Sequence, residues 1–140
     1  MTENFKILAE FVKDISSETP DIQTYIFVKE NILKYQLNID IISKALKNKM
    51  IEVNTTLKFE DKDSNEKRSY FEIVYTSVVR INEDVKDKKV FEKIILCDLQ
   101  KKIYPNVEKT FLDLLHNSGF PEVKLEKKID FDKLFKKKSN

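Results

Sequence analysis

The chain has 140 residues, 41% hydrophobic and 36% charged, with a net charge of +2 from mixed signs, which fits one domain with a buried core and argues against a self-repelling disordered chain. A single cysteine excludes an intrachain disulfide and a cysteine-rich zinc site, and a single glycine excludes a glycine-rich phosphate loop. No apolar run approaches the ~20 residues that cross a bilayer, and Met1-Thr2-Glu3-Asn4 shows neither part of a signal peptide, so the expected compartment is the cytoplasm.

Residues 5–16 predict a first strand that is apolar on both sides, with Phe5, Ile7, Ala9 and Phe11 on one and Leu8 and Val12 on the other. Thr19 to Asn31 follows as a long crossover loop. It holds Tyr25, Ile26, Phe27 and Val28, more apolar residues than a linker needs, and long ordered loops in small domains are often functional. Leu33, Tyr35, Leu37, Ile39 and Ile41 alternate with polar residues and predict a second strand with one buried face. Ile51, Val53, Thr55, Leu57 and Phe59 predict a third. Phe71, Ile73, Tyr75, Val79 and Ile81 predict a fourth, with Glu72, Val74, Thr76 and Arg80 opposite. The polar connector Asp61 to Glu66 makes the third and fourth strands an antiparallel hairpin.

From about Val85 the period becomes helical. Val90, Phe91, Ile94, Ile95, Leu96 and Leu99 cover more than one stripe, and a helix apolar on two sides must be covered on two sides. A sheet would cover one and a neighbouring subunit the other. After Pro105, the stripe Val107, Phe111, Leu114 and Leu115 predicts a second helix. It ends at Asn117-Ser118-Gly119, with the glycine where a left-handed residue is wanted, and Pro121 blocks continuation. A short helix is predicted around Asp130–Lys137. Strands followed by helices make an α+β domain spanning residues 1–140.

Residues 124–138 hold seven lysines against three acids, so the basic surplus belongs to the C-terminus, and 136–140 are expected to form a flexible basic tail. Such a tail could contact nucleic acid or anionic lipid, though the aromatic residues follow buried-face periods and do not interleave with the lysines. Cys97, inside Ile94-Ile95-Leu96-Cys97, is expected to be a buried inert thiol. His116, alone of its kind, suits the C-terminal dipole of the second helix. Glu60-Asp61 and Glu83-Asp84 fall at strand ends, where solvated turns are the default. Nothing here assembles a general base, a nucleophile or a metal site. No enzyme activity, cofactor or metal is therefore expected, and the excess of apolar surface fits a protein that acts by binding.

Two end segments carry a resemblance. Phe11-Val12-Lys13-Asp14-Ile15-Ser16-Ser17-Glu18-Thr19-Pro20 is similar to the opening segment of the SecB family of export chaperones. Gly119-Phe120-Pro121, Val123, Leu125 and Asp130 to Phe135 are similar to its closing segment. Between them, Phe27-Val28-Lys29-Glu30, Leu37 to Asp40, Glu72 to Val79 and Ile103-Tyr104-Pro105 also resemble the family, so the likeness spans almost the full chain. It implies a four-stranded antiparallel sheet with two main helices packed on one face, assembled as a homotetrameric dimer of dimers. Val90, Phe91, Ile94 and Ile95 would lie at the helical interface.

The resemblance further implies an ATP-independent holdase that keeps secretory precursors unfolded and delivers them to the SecA motor, with neither nucleic-acid binding nor membrane insertion. SecA would dock on the sheet through Asp14, Glu18, Tyr70 and Glu72. The client groove would take Phe27, Val28, Ile32 and Leu33 from the crossover and Phe111 and Leu115 from the second helix; each of these could equally be core. A SecB-like chaperone dedicated to one client such as an antitoxin, a small nucleic-acid-binding domain using the lysine tail, and a hot-dog-like α+β ligand-binding or enzymatic domain are the competing expectations.

Overall fold

The computed structural model describes residues 4–61, 69–125 and 129–138. Strand β1 (Phe5–Ser17) leads into helix α1 (Ile22–Asn31) and a tight turn (Ile32–Lys34). Strands β2 (Gln36–Ala45), β3 (Met50–Glu60) and β4 (Phe71–Ile81) follow. Together with β1 they form one antiparallel sheet in the order β1-β4-β3-β2. The expected pairing of β3 with β4 is present, and the connector expected at 61–66 lies outside the described residues except for Asp61.

The alternation in β3 is realised position by position. Val53, Thr55, Leu57 and Phe59 are buried, while Glu52, Asn54, Thr56 and Lys58 face the other side. In β4, Phe71, Ile73, Tyr75 and Val79 are buried on the same inner face. Thr76 is buried although it points outward, and its hydroxyl donates to Asn54 Oδ1 at 2.7 Å. Leu33 does not belong to the second strand. It sits in the turn before β2 and is 98% exposed.

The crossover is helical where a loop was expected. Asp21 caps α1, its Oδ1 accepting from the Thr24 N–H at 2.7 Å, and the Thr24 side chain first and its N–H second lower the pKa of the carboxyl. Apolar residues on several sides hid its period.

The helical region also differs from its sequence pattern. Helix α2 (Lys88–Lys93), a π-helical turn (Ile94–Asp98) and helix α3 (Leu99–Asn117) run into one another with right-handed helical backbone at each junction. Pro105 lies inside α3 and does not begin it. Its ring costs ~3 kcal/mol in a helix interior. Burial of Ile103, Tyr104 and Val107 around it outweighs that, at about 1.5–3 kcal/mol per large apolar side chain. Ile94, Ile95 and Cys97 of the π turn and Leu99 after it are all buried. Much of the over-wide stripe is thus covered within the chain. The shifted backbone leaves the Ile95 carbonyl to accept from Gln100 Nε2 at 3.3 Å, and the same amide group bonds Thr55 of β3.

Beyond the turn, Leu99, Ile103, Val107, Phe111 and Leu115 recur every fourth residue as one buried row. Phe111 meets Phe59 edge-on at 6.3 Å between ring centroids. Helix α3 ends in a Schellman motif: Gly119 has φ +104°, its N–H donates to the His116 carbonyl, and the Phe120 N–H donates to the Leu115 carbonyl. Helix α4 (Phe131–Lys138) closes the chain. The basic tail expected from 136 is therefore helical through Lys138. Phe131 anchors α4 against Tyr104, with ring centroids 5.4 Å apart.

Candidate functional site

One cleft of about 940 Å³ lies at the β2 edge of the sheet. One wall comes from α1 and its turn through Lys29, Ile32 and Leu33. The floor comes from Tyr35, Leu37 of β2 and Phe59 of β3, and the far wall from the chain after α3 through Phe120, Val123, Leu125 and Ile129. Lys29, Gln36, Glu122 and Lys124 add polar and charged groups of both signs. The Tyr35 hydroxyl, buried beside this apolar surface, donates to the Ser69 carbonyl at 2.7 Å. The far wall is tied back to α3, where His116 Nε2 meets the Val123 carbonyl at 3.1 Å.

The expected groove residues divide on this geometry. Ile32 and Leu33 line the cleft. Phe27 is half-buried on α1 outside the lining, and its carbonyl accepts from Asn31. Val28, Phe111 and Leu115 are fully buried core residues, a correction to their assignment as groove, because the row that carries Phe111 and Leu115 faces the sheet. Val123, Leu125 and Ile129, none of them among the expected groove residues, form the far cleft wall. Their apolar spacing after Pro121 was the available signal, but spacing alone gives a face and not what that face looks onto.

The outer face of the sheet, away from the helices, gathers the expected docking residues at one end. Asp14 lies across from Val74 and Ser16 across from Glu72, so both β1 residues share the outward side with Glu72. Ser16 Oγ donates to Asp14 at 2.8 Å. Glu18 follows the end of β1 and Tyr70 precedes β4, both exposed. Lys58 enters this patch and was missed. Its Nζ lies 3.1 Å from Glu60, 4.0 Å from Glu72 and 5.3 Å from the centroid of the Tyr70 ring. The Glu60 hydrogen bond, above all, raises the Lys58 pKa, and Lys58 offsets the negative charge on the β3–β4 side. Asp14 and Glu18 remain as the acids on the β1 side.

The expected interface residues also divide. Val90 is exposed and Phe91 half-buried, whereas Ile94 and Ile95 belong to the core, a correction that follows from the π turn. A second apolar surface appears on β1. Two register shifts, at Leu8 and Lys13, turn Val12 and Ile15 to the inner face opposite Tyr75 and Ile73, yet both are exposed. Beside them, the Tyr75 hydroxyl donates to Glu10 Oε1 at 2.9 Å. Burial first, and this carboxylate second, push its pKa up to about 12.

Among the described residues, the titratable groups form no reactive constellation. Cys97 is buried, and its thiol donates to Asp132 Oδ1 at 3.0 Å. Burial and the carboxylate push its pKa up to about 11, so it is inert near neutrality. Lys101 of α3 holds the other Asp132 oxygen at 3.0 Å, so Asp132 joins α4 to both the π turn and α3. Among the described residues, no group of three or more His, Cys, Asp or Glu could hold a metal ion, and no helix is long and apolar enough to cross a membrane.

A family model described as preprotein translocase subunit SecB matches residues 1–140. The putative protein-export protein SecB of Pelagibacter ubique is 59% identical over 140 residues, 100% of both chains. The protein-export protein SecB of Bartonella quintana is 24% identical over 134 residues, covering 96% of this chain and 83% of that protein. Among solved structures, a SecB-like chaperone of Mycobacterium tuberculosis, in complex with a ChAD peptide from an antitoxin, superposes with a TM-score of 0.62. The alignment covers 88% of this chain and 86% of that one at 11% identity, a likeness of fold.

Proposed function

Because the chain belongs to the SecB family of protein-export chaperones, we propose that it is an ATP-independent holdase that keeps secretory precursors unfolded in the cytoplasm and passes them to the SecA motor. The observation that carries this is the cleft: an apolar floor and two apolar walls with lysine, glutamate and glutamine among the lining. A non-native chain exposes apolar side chains, and each square ångström withdrawn from water contributes ~25 cal/mol. Charges of both signs on the lining select no single sequence, which suits a protein serving many clients. The role is that of a binder and not of an enzyme.

One cleft holds a segment weakly. Four copies would hold a long chain by avidity, because each further segment binds at a high effective concentration. Exposed Val12 and Ile15 on β1, and Val90 with Phe91 on α2, supply apolar surface for a tetramer. The outer sheet face, with Asp14, Glu18, Tyr70 and Glu72, is the candidate docking surface for SecA. Lys58 would reduce the share of that contact made by Glu72.

The test combines native mass with an aggregation assay. A denatured secretory precursor diluted into buffer without nucleotide should stay in solution when the purified protein is present as a tetramer. Unchanged precipitation at stoichiometric tetramer would refute the holdase reading.

A further inference from the structure

Helix α1 has an orientation problem. Ile22, Tyr25, Ile26, Phe27 and Val28 spread around the helix, so burial of one apolar stripe does not decide which side faces the body. Val28 is buried, yet Ile22 and Ile26 remain 61% and 49% exposed. Some specific contact has to fix the helix, and with it the cleft wall formed by Lys29, Ile32 and Leu33.

Tyr25 makes that contact. Its hydroxyl donates to the Gly119 carbonyl at 2.8 Å, and its ring stacks on Phe120 with 5.3 Å between centroids. The two partners head the opposite wall of the cleft, which runs on from Phe120 through Val123 and Leu125. The seat is shaped for this ring. A Cβ at residue 119 would stand 2.6 Å from Tyr25 Cε1, and the φ of +104° independently disfavours any side chain there. The Schellman motif engages the Gly119 N–H and leaves its carbonyl to Tyr25.

We infer that Tyr25 is a positioning residue that clasps the two cleft walls and sets their spacing for an unfolded polypeptide segment. The inference rests on the cleft being the client site. A clasped cleft is pre-organised; without the clasp, binding must also order α1, and affinity falls. Tyr25→Phe keeps the stack and loses the hydrogen bond, and should weaken binding about three- to tenfold. Tyr25→Ala loses both and should weaken it more than about tenfold.

Two measurements separate this inference from the reading it rests on. Spin labels at Glu30→Cys and Glu122→Cys report the distance distribution between the walls, with the buried Cys97 left in place. Fluorescence anisotropy of a labelled, unstructured peptide alternating leucine with serine and lysine reports affinity for the unlabelled variants. Both Tyr25 variants should broaden the distance distribution and weaken the peptide, with Tyr25→Phe intermediate and both variants still folded by circular dichroism. An unbroadened distribution in Tyr25→Ala would overturn the clasp. Broadening with unchanged affinity would overturn its role in client binding. A wild-type protein that binds no peptide would instead remove the client reading of the cleft, while the distances still reported on the clasp.

Discussion

Strands β3 and β1 belong to the same sheet and are both rich in apolar residues, yet they end in opposite situations. Every inward side chain of β3 from Val53 to Phe59 is buried, under α3 and the π turn. On β1, Phe5 is buried, but beyond it Val12 and Ile15 face inward and stay exposed. The difference is one of cover. The long helix reaches the β3–β4 half of the sheet, and the two register shifts in β1 keep presenting apolar side chains past its edge. One half of the inner face is a finished core; the other leaves Val12 and Ile15 exposed.

The sharpest way to break this comparison is at its buried end. Phe111→Ala should cost about 3–5 kcal/mol in urea unfolding, because the side chain is fully enclosed against Phe59. A loss under about 1 kcal/mol would return Phe111 to the client groove.

At the seam between the halves, alkaline pH is the probe. Tyr75 titrates near 10.0 in a free chain and at about 12 in the fold, so the unfolded state gives up its proton first. Its contribution is complete below pH 10 and is lost as pH rises from 10 to about 12. Tyr104 adds a loss in the same window, chiefly from burial. Tyr75→Phe should flatten the alkaline limb of stability against pH, measured by circular dichroism.

Gln100→Ala tests the polar joint between π turn and sheet. It would remove the hydrogen bonds to the Thr55 hydroxyl and the Ile95 carbonyl and should cost about 1–3 kcal/mol by thermal or urea unfolding. The smallest change in chain stability is expected for Ile15→Asp at the exposed end, within about 0.5 kcal/mol. Its effect should appear in native mass, as loss of the proposed tetramer. A collapse of chain stability comparable to that of Phe111→Ala would show that β1 is covered within the chain after all.

The strand pattern was legible because alternation with period two needs nothing beyond the strand itself: Val53 to Phe59 announces its inner face in one dimension. Gly119 was legible for a similar reason, since a helix end needs a left-handed residue that glycine supplies. Helix α1 was not legible, because apolar residues on several sides erase the helical period. The unbroken path through Pro105 was hidden as well, because the ring's local cost is set against burial that depends on the sheet. The candidate site was half visible. Ile32 and Leu33, expected in the groove, line the cleft, while Phe111 and Leu115, left open between groove and core, are core; a stripe facing a core and a stripe facing a groove look the same in sequence.

The amino-acid sequence by itself determined the α+β class, the buried faces of β3 and β4, the close of α3 and the likeness to SecB. These follow from local geometry and from motifs read along the chain. Only the tertiary structure decided what each apolar face touches: the π turn that folds Ile94 and Ile95 inward, the register shifts that leave Ile15 outside, and the seat that receives Tyr25. Periodicity fixes which way a side chain points. The partner it meets depends on how distant segments pack, and that information is spread over the whole chain.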